Sequence, residues 1–304
     1  MRISTNTIYQ AGISRINDLQ TEQAKLQQQI STGKRITSPS DDPVAAAQAL
    51  QVSYAQSVNS KFADTRTTAG SKLNTLESNL DSVTNLIVST QSTLVGAGNG
   101  SLSNSDRQNL ATELTSSLQT LIGLSNAQDA SGNFIYSGFK TNTAPFVASA
   151  TGATYTGDSN QQLLQVDSQR QMAVSVPGNN VFQANGNDVF NTLSNLVTLL
   201  NTPITDATTQ AAFNTGLTNG LNSLQGSLNN VLNIRASVGS NLNEIDSLNT
   251  YGSDRDLQYS KTLSGLQDLD YNSALSDLSK NQTILTAAQK SFVTTTNLSL
   301  FSLI

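Results

Sequence analysis

The sequence predicts a mainly α-helical protein with a small β insertion. We expect a long helical bundle that ends in a coiled coil, with both chain ends together there and the β domain at the far end. Near both termini, apolar residues recur at alternating three- and four-residue steps, the heptad seam of helices that pack along their length. The same spacing fills most of the interior. It is lost only over residues 131–186, where aromatic residues and turn signals accumulate.

The first predicted helix carries a seam of Tyr9, Gly12, Ile16, Leu19, Gln23, Leu26 and Ile30. Gly33 can end this helix in a left-handed conformation, with Lys34 and Arg35 near its carbonyl end. Asp42 before Pro43 reads as the N-cap and the first residue of the next helix, and Asp41 also favours the positive end of the helix dipole. Ser38 with Asp41 offers a second cap one turn earlier.

The second and third helices are predicted to form a hairpin. The second has its inward-facing residues at Leu73, Leu76, Leu80, Val83, Ile87 and Leu94. Gly96, Gly98 and Gly100 mark a turn, and a third helix follows from about Ser105. Its inward-facing residues are Leu110, Leu114, Leu118, Leu121 and Leu124. Two helices joined by such a short glycine-rich tip are expected to run antiparallel.

The insertion at 131–186 has the composition of a β region. Its aromatic residues are Phe134, Tyr136, Phe139, Phe146, Tyr155 and Phe182. Alternation over 164–167, β-branched residues over 173–177 and turn signals at Ser131, Thr156 and Pro177 predict short strands. Helical spacing returns at Val189 and continues to a last seam of Tyr271, Ala274, Leu278, Asn281, Leu285, Ala288 and Phe292.

We therefore expect three parts nested along the chain. Residues 1–42 and 266–304 are predicted to form an assembly coiled coil. Residues 43–130 and 187–265 are predicted to form a helical bundle, and residues 131–186 the small β domain. Because the apolar stripes lie at opposite ends of the chain, the outermost parts must pair with each other.

Composition argues against several functions. The chain of 304 residues has no Cys and no His, and its formal net charge is -5. The commonest general base, disulfides and Cys/His zinc sites are therefore excluded. An acidic pI near 4.7 argues against nucleic-acid binding. No apolar run is long enough to cross a membrane, and residues 1–30 lack the pattern of a cleaved signal peptide. We predict no enzymatic activity and no cofactor.

Two short motifs have alternative interpretations. The Asp41–Asp42 pair could hold a metal or act as an acid/base dyad, but adjacent residues point apart, so a helix cap explains the pair better. The stretch Ser31–Lys34 lacks the first glycine and the preceding strand of a phosphate-binding loop. Arg35 could bridge to a carboxylate of another copy or be a solvated loop residue, and the sequence leaves both open.

The predicted function is assembly. The apolar stripes could belong to a monomeric bundle, but chain ends are normally polar, so an apolar C-terminal tail needs a partner. The predicted interface residues are Ile16, Leu19, Leu26, Ile30, Arg35, Asp41, Asp42, Leu278, Leu285, Phe292, Leu298, Leu300 and Phe301.

Four segments carry a family resemblance: MRISTN (1–6), ISTGKRI (30–36), SPSDDPVAA (38–46) and TTTNLSLF (294–301). They resemble the bacterial flagellin superfamily, and Ser38-Pro-Ser with Pro43 is more similar to its hook–filament junction members than to the filament subunit. The insertion at 131–186 resembles the family's β domain less specifically.

The resemblance implies a structural adaptor of the flagellum, exported through the type III apparatus and placed at the hook–filament junction. It implies contacts with copies of itself, with another hook-associated protein on the hook side and with flagellin on the filament side. It also implies an export chaperone at the C-terminal segment. The alternative within the family is flagellin itself. A zinc peptidase, as some flagellins resemble, is excluded by the lack of His.

Overall fold

The structure is a computed structural model that describes residues 5–184 and 186–301, with side chains for 7–184 and 186–295. It is mainly α-helical with a small β part, as predicted. The elements in chain order are α1 (Thr5–Thr32), α2 (Pro43–Ala97), α3 (Asn104–Ser125), β1 (Phe146–Ser149), β2 (Gly152–Tyr155), β3 (Leu163–Asp167), β4 (Arg170–Ala173), α4 (Gly178–Phe182), α5 (Val189–Asn201), α6 (Ala207–Gln267) and α7 (Tyr271–Phe301).

The chain divides into two compact units. The central unit is Asn59–Gly252, and the terminal unit comprises the described residues up to Val58 and from Ser253. Helices α2 and α6 contribute to both units without interruption. The predicted three-part division of the chain stays a prediction. Among the described helices, none combines the length and apolarity that crossing a bilayer requires.

The central unit contains the hydrophobic core. The predicted inward face of α2 is confirmed, since Leu73, Leu76, Leu80, Val83, Ile87 and Leu94 are all buried. Helix α3 runs antiparallel to α2, because the Asn79 amide donates to the Leu124 carbonyl at 3.2 Å and Thr93 donates to Glu113 at 3.1 Å. The start of α3 is fixed by a capping box between Ser103 and Asp106.

The β insertion consists of two antiparallel hairpins, β1–β2 and β3–β4. Phe146 pairs with Tyr155 in the first, and Leu163 with Ala173 in the second. The predicted alternation over 164–167 is confirmed as β3. The β-branched run after Ala173 is outside the ladder. The turn predicted at Pro177 is present, since the Asn180 amide donates to the Pro177 carbonyl at 3.0 Å, but it continues as the helix α4, which the sequence did not predict. Pro177 has the extended conformation of an N-cap there.

Aromatic rings join this insertion to α5. The Phe146 ring centroid lies 4.8 Å from that of Phe190 and 5.4 Å from that of Phe182. Tyr136 is fully buried and donates its hydroxyl to Asn79 Oδ1 at 2.7 Å, which satisfies both groups. Because these rings are buried together with the leucines of α2, the β insertion is part of the core of the central unit.

A buried arginine adds a polar connection. Arg66 of α2 is 3% exposed, and it donates to the Val166 carbonyl in β3 at 3.1 Å and to Asn249 Oδ1 in α6 at 2.7 Å. Asn59 donates to the Gly252 carbonyl at 2.8 Å nearby. These bonds hold the two long helices together before the first core leucine of α2, Leu73.

Candidate assembly interface

The terminal unit has helices but almost no core. Among its described residues, the buried apolar side chains are Ala45, Ala49 and Ala274, at 7%, 0% and 4% exposure. The buried leucines, isoleucines, valines and aromatic residues of the described chain lie in the central unit. The terminal unit instead exposes Ile8, Tyr9, Ile13, Val44, Leu50, Tyr54, Leu257, Tyr271, Leu275, Ile284 and Val293. Apolar exposure on this scale is typical of a protein–protein interface.

Helices α1 and α7 pack against each other in antiparallel orientation. The rings of Tyr9 and Phe292 are 5.1 Å apart at one end, and at the other the Tyr271 hydroxyl donates to the Ile30 carbonyl at 3.4 Å. The heptad seam of each helix faces the other, so the two predicted stripes do meet.

The seam is only half covered. Ile16, Leu19, Leu26 and Ile30 of α1 are half-buried, as are Leu278, Leu285 and Phe292 of α7. A fully buried leucine contributes about 2 kcal/mol, and a half-buried one roughly half of that. The pair is therefore marginal alone. Leu298, Leu300 and Phe301, also predicted as interface residues, lie outside the residues whose side chains the structure describes.

The segment after α1 is hydrogen-bonded to the segment before α7, a connection that the sequence did not predict. Gly33 adopts the predicted left-handed conformation, with φ at 69°. Beyond it, the Arg35 amide donates to the Gln267 carbonyl at 2.7 Å and the Leu269 amide donates to the Gly33 carbonyl at 3.0 Å. Asp270 then caps α7, accepting from the amides of the second and third following residues at 3.0 and 3.2 Å. Asp270, which directly precedes the heptad seam of α7, was the sequence signal that could have predicted this cap.

The two adjacent aspartates have different roles. Asp42 caps α2 as predicted, since its Oδ1 accepts from the Ala45 amide at 3.0 Å, and this bond is the main reason that its pKa is lowered. Asp41 instead pairs with Lys25 of α1 at 2.9 Å. That ion pair and bonds from Thr37 and Ser38 hold the pKa of the Asp41 carboxyl far below its usual range.

The alternative helix start at Ser38 is wrong, because residues 38–41 form a turn that Asp41 closes. The Asp41 carboxylate serves as the hydrogen-bond acceptor for the backbone of this turn. Since its other oxygen binds Lys25, the loop is tied to the side of α1. A single side chain thus fixes both the loop and its position on the helix.

Arg35 has partners within the chain. Its Nη1 lies 3.3 Å from Asp42 Oδ2, and its Nη2 donates to the Leu266 carbonyl at 2.9 Å. The side chain is 48% exposed, so it remains accessible to solvent. Its bridge to another copy stays a prediction.

Two further features bear on chemistry in the described part of the chain. It holds no group of three or more acidic residues that could bind a metal ion. A cleft of about 370 Å³ lies between α2, α6 and the segment after β4. Its lining contains serine, asparagine, glutamine and aliphatic residues and no ionisable side chain. That cleft therefore has no acid or base of its own.

Comparison with known proteins yields consistent matches. The family model described as the bacterial flagellin N-terminal helical region matches residues 3–141. Flagellar hook-associated protein 3 of Escherichia coli K12 is 38% identical over 317 residues, covering 100% of this chain and 99% of that protein. The protein of the same name from Salmonella typhimurium LT2 is 40% identical over 319 residues, with the same coverage.

Solved structures agree in fold. A putative flagellar hook-associated protein from Vibrio parahaemolyticus matches with a TM-score of 0.68 and 26% identity, covering 75% of this chain and 100% of that one. Flagellar hook associated protein-3 from Legionella pneumophila matches with a TM-score of 0.66 and 20% identity, covering 73% of this chain and 98% of that one. The similarity to curated relatives thus spans the full chain, and that to these solved chains about three quarters of it.

Proposed function

The chain belongs to the flagellar hook-associated protein 3 family, within the flagellin superfamily, and we propose that it is a structural adaptor between hook and filament of the flagellum. The relatives' names point to a structural flagellar protein, not an enzyme. The single observation that carries the proposal beyond the name is the terminal unit, which is helical, yet whose described large apolar residues are only half-buried or exposed. Such a unit suits a part whose missing core is supplied by neighbours.

The proposed mechanism of assembly follows from the small apolar area that the terminal unit buries. Burying apolar surface contributes about 25 cal/mol per Å², and the terminal unit has little of it buried within the chain. Neighbouring copies that cover Ile13, Leu275 and Ile284 supply the rest, so the helices order as they assemble. The terminal helices then stay marginal before assembly and become stable after it.

The resemblance to the family supports a proposal for the partners. Copies of this chain pack side by side, another hook-associated protein lies on the hook side, and flagellin lies on the filament side. The apolar segment with Leu298, Leu300 and Phe301 needs cover before assembly, which an export chaperone provides during type III export. Among the predicted interface residues, the seam leucines close the terminal pair, and Asp41 and Asp42 hold the loop beside it.

Deletion of the gene tests the proposal. Electron microscopy of the mutant is expected to show hooks without filaments, with flagellin lost into the medium and filaments restored by the wild-type gene. Normal filaments on the mutant would contradict the junction role. Bare hooks with no flagellin in the medium would instead indicate that this chain is the filament subunit.

A further inference from the structure

Two aromatic residues show the register in which α1 lies against α7. A Cβ atom at Gly12 would lie 2.7 Å from Phe292 Cδ2, and one at Gly33 would lie 2.9 Å from the Tyr271 hydroxyl. Each aromatic side chain thus sits on a glycine of the facing segment. The glycines are three heptads apart, and so are the aromatic residues. Both ends of the seam therefore report one antiparallel register.

The heptad steps between these anchors define the intervening layers. From one end to the other they are Gly12 with Phe292, Ile16 with Ala288, Leu19 with Leu285, Gln23 with Asn281, Leu26 with Leu278, Ile30 with Ala274, and Gly33 with Tyr271. Large residues face small ones in the outer layers, and leucine faces leucine next to the centre. The layers are thus symmetric about one polar layer, which lies in the middle.

Asn281 is unusual for a position in this seam. Its side chain is 6% exposed, more deeply buried than the leucines on either side, and its Oδ1 has no hydrogen-bond partner. A buried acceptor without a partner destabilises the pair that buries it. Ala274, the other buried position among residues 271–295 of α7, has no polar side-chain atom to satisfy.

A slip of one heptad would separate the polar residues. In one direction it brings Asn281 level with Ile16, and in the other level with Ile30. Gln23 would then face an alanine, and Phe292 would leave Gly12. Since leucine, isoleucine and alanine layers tolerate such a slip, the polar layer and the two glycine ends are what distinguish the registers.

We propose that the layer of Gln23 and Asn281 sets the register in which α1 and α7 pair, at a cost that keeps the pair open until neighbouring copies cover it. This proposal rests on the assembly function above. A single polar pair in an apolar seam trades stability for a unique alignment. Here the alignment matters because neighbouring copies contact the outer faces of both helices, so the axial position of α1 relative to α7 must be the same in each copy.

Engineered disulfides can report the register, since the chain has no cysteine. Leu19→Cys is combined with Leu285→Cys for the native register, or with Leu278→Cys or Phe292→Cys for the two slipped registers. The three pairs are oxidised in flagella isolated from cells, in the otherwise wild-type chain and with Asn281→Leu. Gln282→Leu, at the neighbouring exposed position, is the matched control.

The wild-type and Gln282→Leu chains should cross-link almost only through the native pair. Asn281→Leu should also cross-link through at least one slipped pair. In the soluble full-length chain, hydrogen exchange should show the population of paired terminal helices raised about tenfold by Asn281→Leu and unchanged by the control. If Asn281→Leu does not enter flagella, the same three pairs are oxidised in the soluble chain.

Native cross-links alone with Asn281→Leu, in flagella or in the soluble chain, would overturn the proposal. So would an unchanged exchange rate, because the buried acceptor would then carry no cost. Absence of every cross-link in wild-type flagella would have a different meaning. It would show that the helices do not pair when assembled, and would refute the assembly function itself.

Discussion

Leu285→Asp is expected to block assembly without unfolding the protein. Leu285 is half-buried in the seam of α7, one turn from Asn281. Losing half of a leucine's burial costs about 1 kcal/mol. Placing a polar group there without a partner adds about 2 kcal/mol. A total of about 3 kcal/mol corresponds to a more than hundredfold loss of the paired state.

The central unit should not be affected. The large apolar side chains buried in the described structure lie between Asn59 and Gly252, and α7 contributes none of them. Thermal denaturation of the soluble variant should therefore keep the main transition of the wild-type protein. Quantitative immunoblotting of isolated hook–filament structures should show the variant absent, with flagellin in the medium.

Gln282→Asp is the matched control, because it introduces the same carboxylate at the exposed neighbouring position of α7. This variant should enter the flagellum as the wild type does. Normal incorporation of Leu285→Asp would refute the reasoning. Loss of its main thermal transition would refute the independence of the two units.

Single substitutions at a buried leucine, two glycines and a helix cap test the rest of the structure. Leu80→Ala, in the core of the central unit, should lower the free energy of unfolding by about 3 kcal/mol and the thermal midpoint by about 9 °C. A shift below 2 °C would contradict this. Gly33→Ala must keep a φ of 69° and should lower the stability of the terminal helices by about 1–2 kcal/mol. Gly265→Ala, with open space around it, should raise helix stability by about 1 kcal/mol. Hydrogen exchange of the assembled protein compares the two variants, and equal effects would argue against strain at residue 33. Because the pKa of Asp42 is lowered in the folded chain, its cap contributes fully above pH 3.8 and is lost as the pH falls from there through the lower folded pKa. Asp42→Ala should therefore destabilise the start of α2 at pH 7 and have no effect in strong acid. An effect independent of pH would exclude the carboxylate as the cause.

Local signals in the sequence were sufficient for the helix ends. Gly33 ends α1 and Asp42 caps α2, because each depends on the backbone of its immediate neighbours. The alternative cap at Ser38 failed for a non-local reason. Asp41 binds Lys25, sixteen residues earlier on α1, so the turn before α2 is held against that helix instead of extending α2.

Contacts between distant segments could not be predicted from the sequence. The backbone pairing of Gly33 and Arg35 with residues 267–269 joins segments more than 230 residues apart, and neither segment has the alternation of a strand. The helix α4 is another case. Its Pro-Gly-Asn-Asn start is equally typical of a turn, and the packing of Phe182 against Phe146 accompanies the helical turn there.

The sequence by itself determined the helical fold, the β insertion and the two seams, because apolar periodicity is encoded along each element. Only the tertiary structure decided which residues are covered. The same heptad spacing that is fully buried in α2 from Leu73 to Leu94 is only half covered in α1 and α7. The physical reason is that spacing specifies a face, whereas burial depends on what packs against it. In the terminal unit the described helices cover the seam only in part, and the unpartnered Asn281 Oδ1 lies midway along the seam between α1 and α7.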